Sequence, residues 1–368
     1  MNDELLFQLA LTLVPNIGPV QAKILLQQYD VEDIFKAKKS QLEKLEGIGS
    51  VRAESIKSFA DFSKAEEEIT FIEKYKINTL FIADKGYPER LLNCYDSPTL
   101  LFYKGEADLN QKKIISIIGT RNHTDYGKQI TETFLEELAE QDVMVISGLA
   151  YGIDAIAHKA ALKNNLRTVG VLAHGLDQVY PSQHTSLAKE MIKAGGGLLT
   201  EFRSKTKPDK HNFPTRNRIV AGLSDATIVV ETGAKGGSMI TAELANNYNK
   251  DVFAFPGKVT DTKSAGCNYL IKNNKAVLLT DAQELIELMG WDEVSSRSAK
   301  PKKQRELFIE LNDDEKVIIG ILREKEQVHI DEINLKSGLS SSSVAAAILN
   351  LELQNVVLSL PGKVYQIA

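Results

Sequence analysis

The stretch His211–Gly257 reads HNFPTRNRIVAGLSDATIVVETGAKGGSMITAELANNYNKDVFAFPG and decides the fold. A cationic segment, predicted to be a loop, covers Phe213–Arg218, and an apolar run over Ala226–Thr232 predicts a buried strand. The glycines Gly236 and Gly237 then open a predicted helix. A strand that runs into glycines and a helix start is the arrangement with which α/β proteins bind phosphate, because backbone N–H groups and the helix N-terminus favour an anion. Arginines beside an aromatic ring add charge and a stacking surface, so this stretch predicts binding of phosphates and bases.

Working outward, apolar and β-branched runs alternate with helical segments along most of the chain. Near-continuous apolar strands with helices between them are typical of a parallel sheet covered on both faces. The pattern predicts an α/β protein with an extended, Rossmann-like, doubly wound parallel sheet, preceded by a shorter strand pair within 80–104. The seven main strands are predicted at 113–119, 143–148, 168–173, 197–202, 226–232, 251–257 and 276–280.

The regions before and after the sheet have other patterns. Residues 1–62 contain two similar segments, each with an Ile-Gly turn (Ile17-Gly18 and Ile48-Gly49), and look like a tandem helix-hairpin-helix of the SAM-like kind. Glycine turns of this kind bind a backbone phosphate without reading bases, and a helical adaptor that touches no DNA is the alternative. We predict a sheet domain over 63–292, a linker over 293–311 and a winged helix over 312–368. The third helix of that winged helix has no Lys or Arg, so we expect the winged helix to contact protein or to pack internally, and not to read bases.

Composition narrows the class of protein. The chain has 368 residues, a formal net charge of −5 and 43% hydrophobic residues, which is ordinary for a globular protein, so any nucleic-acid contact must come from a local patch. No apolar run is long enough to span a bilayer, and the first residues lack the basic start of a secretory signal. Two cysteines make no disulfide framework, which favours the cytoplasm. The six histidines and two cysteines show no metal-ligand spacing, and we expect no cofactor, no membrane contact and no small-molecule substrate.

Ligands of doubly wound sheets bind at the carboxyl ends of the strands, so we expect the DNA-binding residues there. A basic run over 201–218, with six Lys or Arg, leads into the same region. Asp154 and His158 are spaced as an acid/base pair, although a helix cap and a structural hydrogen bond are favoured. The complete candidate set is Gly119, Arg121, Ser147, Gly148, Gly152, Tyr180, Lys205, Lys207, Lys210, Phe213, Arg216, Asn217, Arg218, Gly236, Gly237, Ser238 and Thr241.

Two other functions compete with DNA binding. The segment 236–243 resembles the GGxGTxxE element of nucleoside-monophosphate phosphoribohydrolases, although it lacks the second Gly-Thr pair. An enzyme of that kind needs a carboxylate that activates water, and Glu243 is the candidate, without a partner for it. A scaffold that acts through its helical and winged ends is the third hypothesis.

The ordered motifs IIGTR (117–121), SGLAYGIDAIAH (147–158), FPTRNRIVAGLS (213–224) and GGSMITAELA (236–245) resemble the DNA-processing protein A family, called DprA or Smf. The resemblance implies a non-enzymatic protein that binds single-stranded DNA, protects incoming DNA, forms homodimers and loads the RecA recombinase during natural transformation. It places DNA contacts at Arg121, Ser147, Gly148 and the segment 213–218. Many members have a lysine and an asparagine near the Tyr-Pro turn, whereas this chain reads Tyr180-Pro181-Ser182-Gln183-His184, so Lys205, Lys207 or Lys210 is expected to substitute.

Overall fold

The structure is a computed structural model that describes residues 3–291, 311–323, 325, 327–354, 356–360 and 363–367. The chain divides into two compact units, Met1–Asp292 and Glu293–Ala368. The predicted linker over 293–311 lies outside the described residues except for Leu311, and the boundary predicted at 62/63 stays a prediction.

The first unit begins with six helices, whose apolar side chains belong to the same core cluster as one face of the central sheet. Positive φ angles at Gly47 and Gly49, +85° and +66°, let the chain turn sharply into the fifth helix, as the Ile-Gly pattern predicts. The helices are α1 (Asp3–Leu13), α2 (Pro19–Leu26), α3 (Val31–Lys36), α4 (Lys39–Leu42), α5 (Gly49–Lys57) and α6 (Ser63–Tyr75).

A nine-stranded sheet follows, and all seven predicted main strands are confirmed in it. The strands are β1 (Asn78–Phe81), β2 (Leu100–Gly105), β3 (Ile114–Ile118), β4 (Met144–Ser147), β5 (Thr168–Val171), β6 (Gly197–Thr200), β7 (Ala226–Val229), β8 (Asp251–Ala254) and β9 (Val277–Leu278). Their order is β1-β2-β6-β5-β4-β3-β7-β8-β9. Strands β3 to β9 pair in parallel, and the predicted preceding pair, β1 and β2, adds an antiparallel edge through β6.

Helices cover both faces of this sheet. They are α7 (Glu89–Leu92), α8 (Asp125–Glu137), α9 (Ile153–Lys163), α10 (Thr185–Lys193), α11 (Asn212–Leu223), α12 (Gly237–Asn247), α13 (Ala265–Lys272) and α14 (Ala282–Leu288), with a 3-10 turn at Ser182–His184. The chain winds from β3 outward to β4, β5 and β6, then returns through α11 to place β7 on the other side of β3. This reversal between β3 and β7 opens a crevice at the carboxyl ends of the two strands.

The predicted loop over 213–218 is wrong, because these residues form the first half of α11. Pro214 lies in the first helical turn, where its missing N–H group is not needed. Ile219, Val220 and Leu223 pack the second half of the helix onto the sheet and hold it there.

The second unit is a winged helix, as predicted. Its elements are α15 (Asp313–Leu322), β10 (Val328–His329), α16 (Ile330–Ser337), α17 (Ser341–Leu353), β11 (Val357–Leu360) and β12 (Val364–Ile367), and the strands pair in the order β10-β12-β11. Ser340 caps α17 by accepting a hydrogen bond from the N–H group of Ser343 at 3.1 Å. The turn predicted at Pro361-Gly362 lies outside the described residues. Among the described helices, none has the length and apolarity that crossing a membrane requires.

Candidate nucleic-acid interface

The crevice between β3 and β7 is a cleft of about 720 Å³. Residues that follow β3, β4, β5 and β7, together with α11 and the start of α12, line it. The cleft brings together twelve of the predicted site residues: Gly119, Arg121, Gly148, Tyr180, Lys210, Phe213, Arg216, Asn217, Gly236, Gly237, Ser238 and Thr241.

A cation and two aromatic rings form one side of the cleft. The Arg121 guanidinium lies over the Phe213 ring, 5.2 Å from its centroid. The Tyr180 ring lies 6.2 Å from the same ring, at an angle of 49°. A guanidinium on a ring face is a stable cation–π arrangement, and Arg121 keeps its exposed donors for a ligand. This side therefore offers both charge and a π-face for stacking.

The start of α12 forms another part of the cleft lining. The Thr241 hydroxyl donates to the Gly237 carbonyl at 3.1 Å, and Asn217 Nδ2 donates to the same carbonyl at 3.3 Å. The Ser238 hydroxyl donates to Thr232 Oγ1 at 2.6 Å, which ties the helix to the end of β7. These side chains hold the glycine turn in place. The first-turn N–H groups of a helix have no partner within the helix, so this end is suited to an anion.

Arg216 lies at the floor of the cleft and is only 4% exposed. Its Nη1 donates to the carbonyls of Gly148 and Val171, which joins the ends of β4 and β5. Its Nε has no hydrogen-bond partner among the described residues. Burial lowers the pKa of Arg216 to about 10. Because this value is still well above 7, the guanidinium is charged at neutral pH. Arg216 thus supplies a fixed positive charge beneath the cleft.

Gly148 and Gly152 hold the backbone around this floor. A Cβ atom on Gly148 would lie 2.2 Å from Arg216 Nη1. Gly152 has φ +78°, and a Cβ atom there would lie 2.2 Å from the Thr120 carbonyl oxygen. Gly152 does not line the cleft. Its role is to let the start of α9 pack against the Thr120–Arg121 backbone.

Four further predicted site residues have other partners or positions. Arg218 forms a buried ion pair with Glu201 and donates to the Asp96 carbonyl, so its prediction as a phosphate ligand is corrected. The buried Ser147 hydroxyl donates to the Ile117 carbonyl at 2.6 Å and is used within the sheet. Lys205 pairs with Glu67 at 2.9 Å, and neither it nor Lys207 lines the cleft.

The potential acid/base pair is structural. The Asp154 carboxylate accepts from the N–H groups of Gly148 and Ala150 at 3.2 and 3.4 Å. His158 is fully buried, and its Nδ1 lies 2.6 Å from Thr168 Oγ1. The Thr168 hydroxyl already donates its proton to the Val145 carbonyl. His158 Nδ1 must therefore be protonated and donate to Thr168 Oγ1. Asp154 therefore holds the backbone at the cleft, and His158 ties α9 to the start of β5.

Sequence reasoning missed one exposed cation in the cleft, Lys235. It lies in the glycine turn between β7 and α12, and that position was a sufficient signal, since any long cation there must lie beside the helix N-terminus. Glu243, the carboxylate that the hydrolase hypothesis requires, is absent from the cleft lining and pairs with Lys275 at 3.1 Å. Within the described ranges, no cluster of His, Cys, Asp and Glu has the grouping that would hold a metal ion.

Three family models match the chain in the order of its structural parts. A SAM-like helix-hairpin-helix tandem matches residues 8–61, DNA recombination-mediator protein A matches 78–290, and the DprA winged helix domain matches 301–363. The central match covers more than half of the chain and contains all the residues that line the cleft.

Individual relatives agree with these models. Protein Smf of Synechocystis is 32% identical over 99% of this chain and 99% of its own length. DNA processing protein DprA of Bacillus subtilis is 42% identical over 57% of this chain and 71% of its own length.

Two solved structures are similar as well. The DprA structure from Streptococcus pneumoniae has a TM-score of 0.66 at 30% identity and covers 78% of this chain and 98% of its own. DNA processing protein A from Helicobacter pylori, whose structure concerns its single-stranded DNA binding mode, has a TM-score of 0.53 at 32% identity, over 59% of this chain and 97% of its own. Sequence, domain order and fold agree, and the chain belongs to the DNA recombination-mediator protein A family, which includes DprA and Smf.

Proposed function

We propose that this protein binds single-stranded DNA in the cleft between β3 and β7. The observation that carries the proposal is that the Arg121–Phe213 stack, with its exposed guanidinium, and the glycine-rich start of α12 line the same cleft. The ring suits an unpaired base, and the helix start suits a phosphate. The single-stranded DNA binding named for the Helicobacter pylori relative supports the same ligand.

Each group in the cleft then has a role. Arg121, Lys210 and Lys235 neutralise phosphates, and Gly236 and Gly237 supply backbone donors. Phe213 and Tyr180 stack on bases, which requires bases that are unpaired and produces the preference for a single strand. Contacts of these kinds read no base edges, so binding is nearly independent of sequence.

We propose further that the protein is a recombination mediator that acts in the cytoplasm, without catalysis or cofactor. It protects incoming single strands during natural transformation and loads RecA onto them, as the resemblance to DprA implies. A homodimer holds two stretches of one strand and gains affinity through effective concentration. The winged helix contacts protein.

The test is fluorescence anisotropy of a labelled oligo-dT and of a duplex of equal length, titrated with salt. We expect preference for the single strand, with log K falling against log salt by about 0.7 per neutralised phosphate. Arg121→Glu combined with Lys235→Glu abolishes this binding. Lys189→Glu combined with Lys272→Glu is the matched charge control, because both lysines are exposed and neither lines the cleft.

Equal binding of duplex and single strand, or binding that survives the double reversal, contradicts the proposal. Release of a free base from nucleoside monophosphates, lost in Glu243→Gln, would support the hydrolase hypothesis instead.

A further inference from the structure

The buried carboxylate of Glu68, on the last of the N-terminal helices, forms hydrogen bonds with the segment that leads from β6 into the cleft. Glu68 lies on α6 and is 4% exposed. Its two carboxylate oxygens accept from the Ser204 N–H group at 2.9 and 3.1 Å, and Oε2 also accepts from the Ser204 hydroxyl at 2.6 Å. Hydrogen bonds to an ionised acceptor are the strong ones, so Ser204 is firmly held.

The two residues after Ser204 bond to a different part of the chain. The next N–H group, of Lys205, donates to Asp177 Oδ1 at 3.0 Å. The Gly175 N–H group donates to the Thr206 carbonyl at 3.1 Å. Gly175 and Asp177 belong to the turn after β5 that continues to Tyr180. The segment is therefore held between α6 and the wall of the cleft that carries an aromatic ring.

The fixed segment continues directly into the cleft lining. Pro208, Asp209 and Lys210 line the cleft, and Phe213 follows in the first turn of α11. Asn212 Nδ2 donates back to the Lys207 carbonyl at 3.3 Å, which closes the segment on the helix. A shift at Ser204 is passed through this short, tightly bonded stretch to the cation and the ring.

We propose that Glu68 is a positioning residue for DNA binding, which rests on the function proposed above. The carboxylate touches no DNA. It fixes Ser204 so that Lys210 and Phe213 face the cleft, and it thereby makes the affinity for DNA depend on the N-terminal helices.

The sign of the effect separates this role from electrostatics. Removing an acid makes the protein less negative, and for a polyanionic ligand that change alone strengthens binding. Positioning by Glu68 predicts the reverse. The neighbouring Glu67 gives a matched control with the same change in charge, because it is exposed and its ion pair with Lys205 is exposed as well.

The experiment compares Glu68→Ala, Glu67→Ala and Glu68→Gln in the full chain, by anisotropy with oligo-dT over a range of salt. We expect Glu68→Ala to bind about tenfold more weakly, the loss associated with one charged hydrogen-bond group. Its salt slope stays that of the unmodified protein, because no phosphate contact is removed. Glu67→Ala binds as the unmodified protein or more tightly, and Glu68→Gln regains most of the affinity, since its amide oxygen still accepts from Ser204.

Hydrogen exchange supplies a second readout that does not need DNA. Positioning predicts faster exchange of amides 204–213 in Glu68→Ala, with unchanged exchange in β7. Unchanged affinity in Glu68→Ala, or exchange over 204–213 at the original rate, overturns the inference. If the unmodified protein fails to bind oligo-dT, the proposed function fails, and the exchange measurement still decides whether Glu68 fixes the segment 204–213.

Discussion

The guanidinium of Arg121, which follows β3, stacks on the ring of Phe213 in the first turn of α11, 5.2 Å from its centroid. The two residues come from segments that are distant in the chain, and the order of the strands brings them to one cleft. Each orients the other, so a base that stacks on the ring also meets a charge.

Phe213→Ala tests the stacking half of this pair. We expect affinity for oligo-dT to fall by about 1–3 kcal/mol, with the salt slope unchanged, because a ring and no charge is lost. Anisotropy over a salt series measures both quantities. Phe213→Tyr keeps the ring and is the control. A weakened slope in Phe213→Ala would show that the ring acts mainly by holding Arg121 against a phosphate.

Arg218→Ala is predicted to affect stability more than DNA binding. The substitution leaves the Glu201 carboxylate buried without its ion partner, which costs about 3–5 kcal/mol of unfolding free energy. Urea unfolding measures this loss. Arg218→Met combined with Glu201→Gln should regain most of it, because neither side chain then carries a buried charge. A stable Arg218→Ala that binds DNA poorly would restore Arg218 as a phosphate ligand.

Gly152→Ala is predicted to disturb the backbone that carries Arg121. The new Cβ atom would lie 2.2 Å from the Thr120 carbonyl oxygen at a φ of +78°, so we expect a loss of about 3 kcal/mol in unfolding free energy and weaker oligo-dT binding. Gly195→Ala is the control, since Gly195 has φ +76° with open space around its Cβ position, and a cost of about 1 kcal/mol is expected there. Similar losses in the two variants would contradict the proposed close packing.

Acid is predicted to destabilise the protein through His158. Burial lowers the pKa of His158 from 6.5 to about 3, so between these values the unfolded chain binds a proton that the folded protein does not. Its contribution to stability is complete above pH 6.5 and falls as the pH drops toward 3, by up to about 1.4 kcal/mol per pH unit. Urea unfolding at several pH values compares the unmodified protein with His158→Gln. The variant should show the smaller pH dependence, and equal dependence would exclude His158 as the cause.

Removal of the winged helix is predicted to leave oligo-dT binding intact. The helix α17, Ser341–Leu353, has no Lys or Arg, so it lacks the side chains that approach phosphates. A chain that ends at Arg305 should bind with the affinity and salt slope of the full chain. Loss of binding on this deletion would place DNA contacts in the winged helix.

The fold was predictable because its main strands are continuous apolar runs, whose burial in a parallel sheet leaves little choice of structure. The secondary structure of residues 213–218 was not predictable in the same way. Pro214 is typical of a loop, and only the packing of the later turns of α11 shows that these residues are helical. Arg216 and Arg218 look equivalent in sequence. Residues two apart in a helix are nevertheless related by a rotation of about 200° about its axis, so their side chains leave nearly opposite faces. One reaches the floor of the cleft, and the other reaches Glu201, a partner that only the folded chain reveals. The place of Lys235 in the cleft could have been predicted from its turn. The hydrogen bonds between Glu68 and Ser204, in contrast, depend on how α6 packs against the segment after β6.

The buried bridge from Arg216 to the ends of β4 and β5 has a consequence for redesign of the cleft. The Arg216 guanidinium donates to two carbonyls, and a side chain at Gly148 would clash with it. The floor of the cleft therefore tolerates few substitutions. Lys210 and Lys235, by contrast, are exposed in the cleft lining. Variants with an altered preference for the length or backbone chemistry of the bound nucleic acid should therefore be sought by substituting Lys210 and Lys235, while Arg216 and Gly148 are kept.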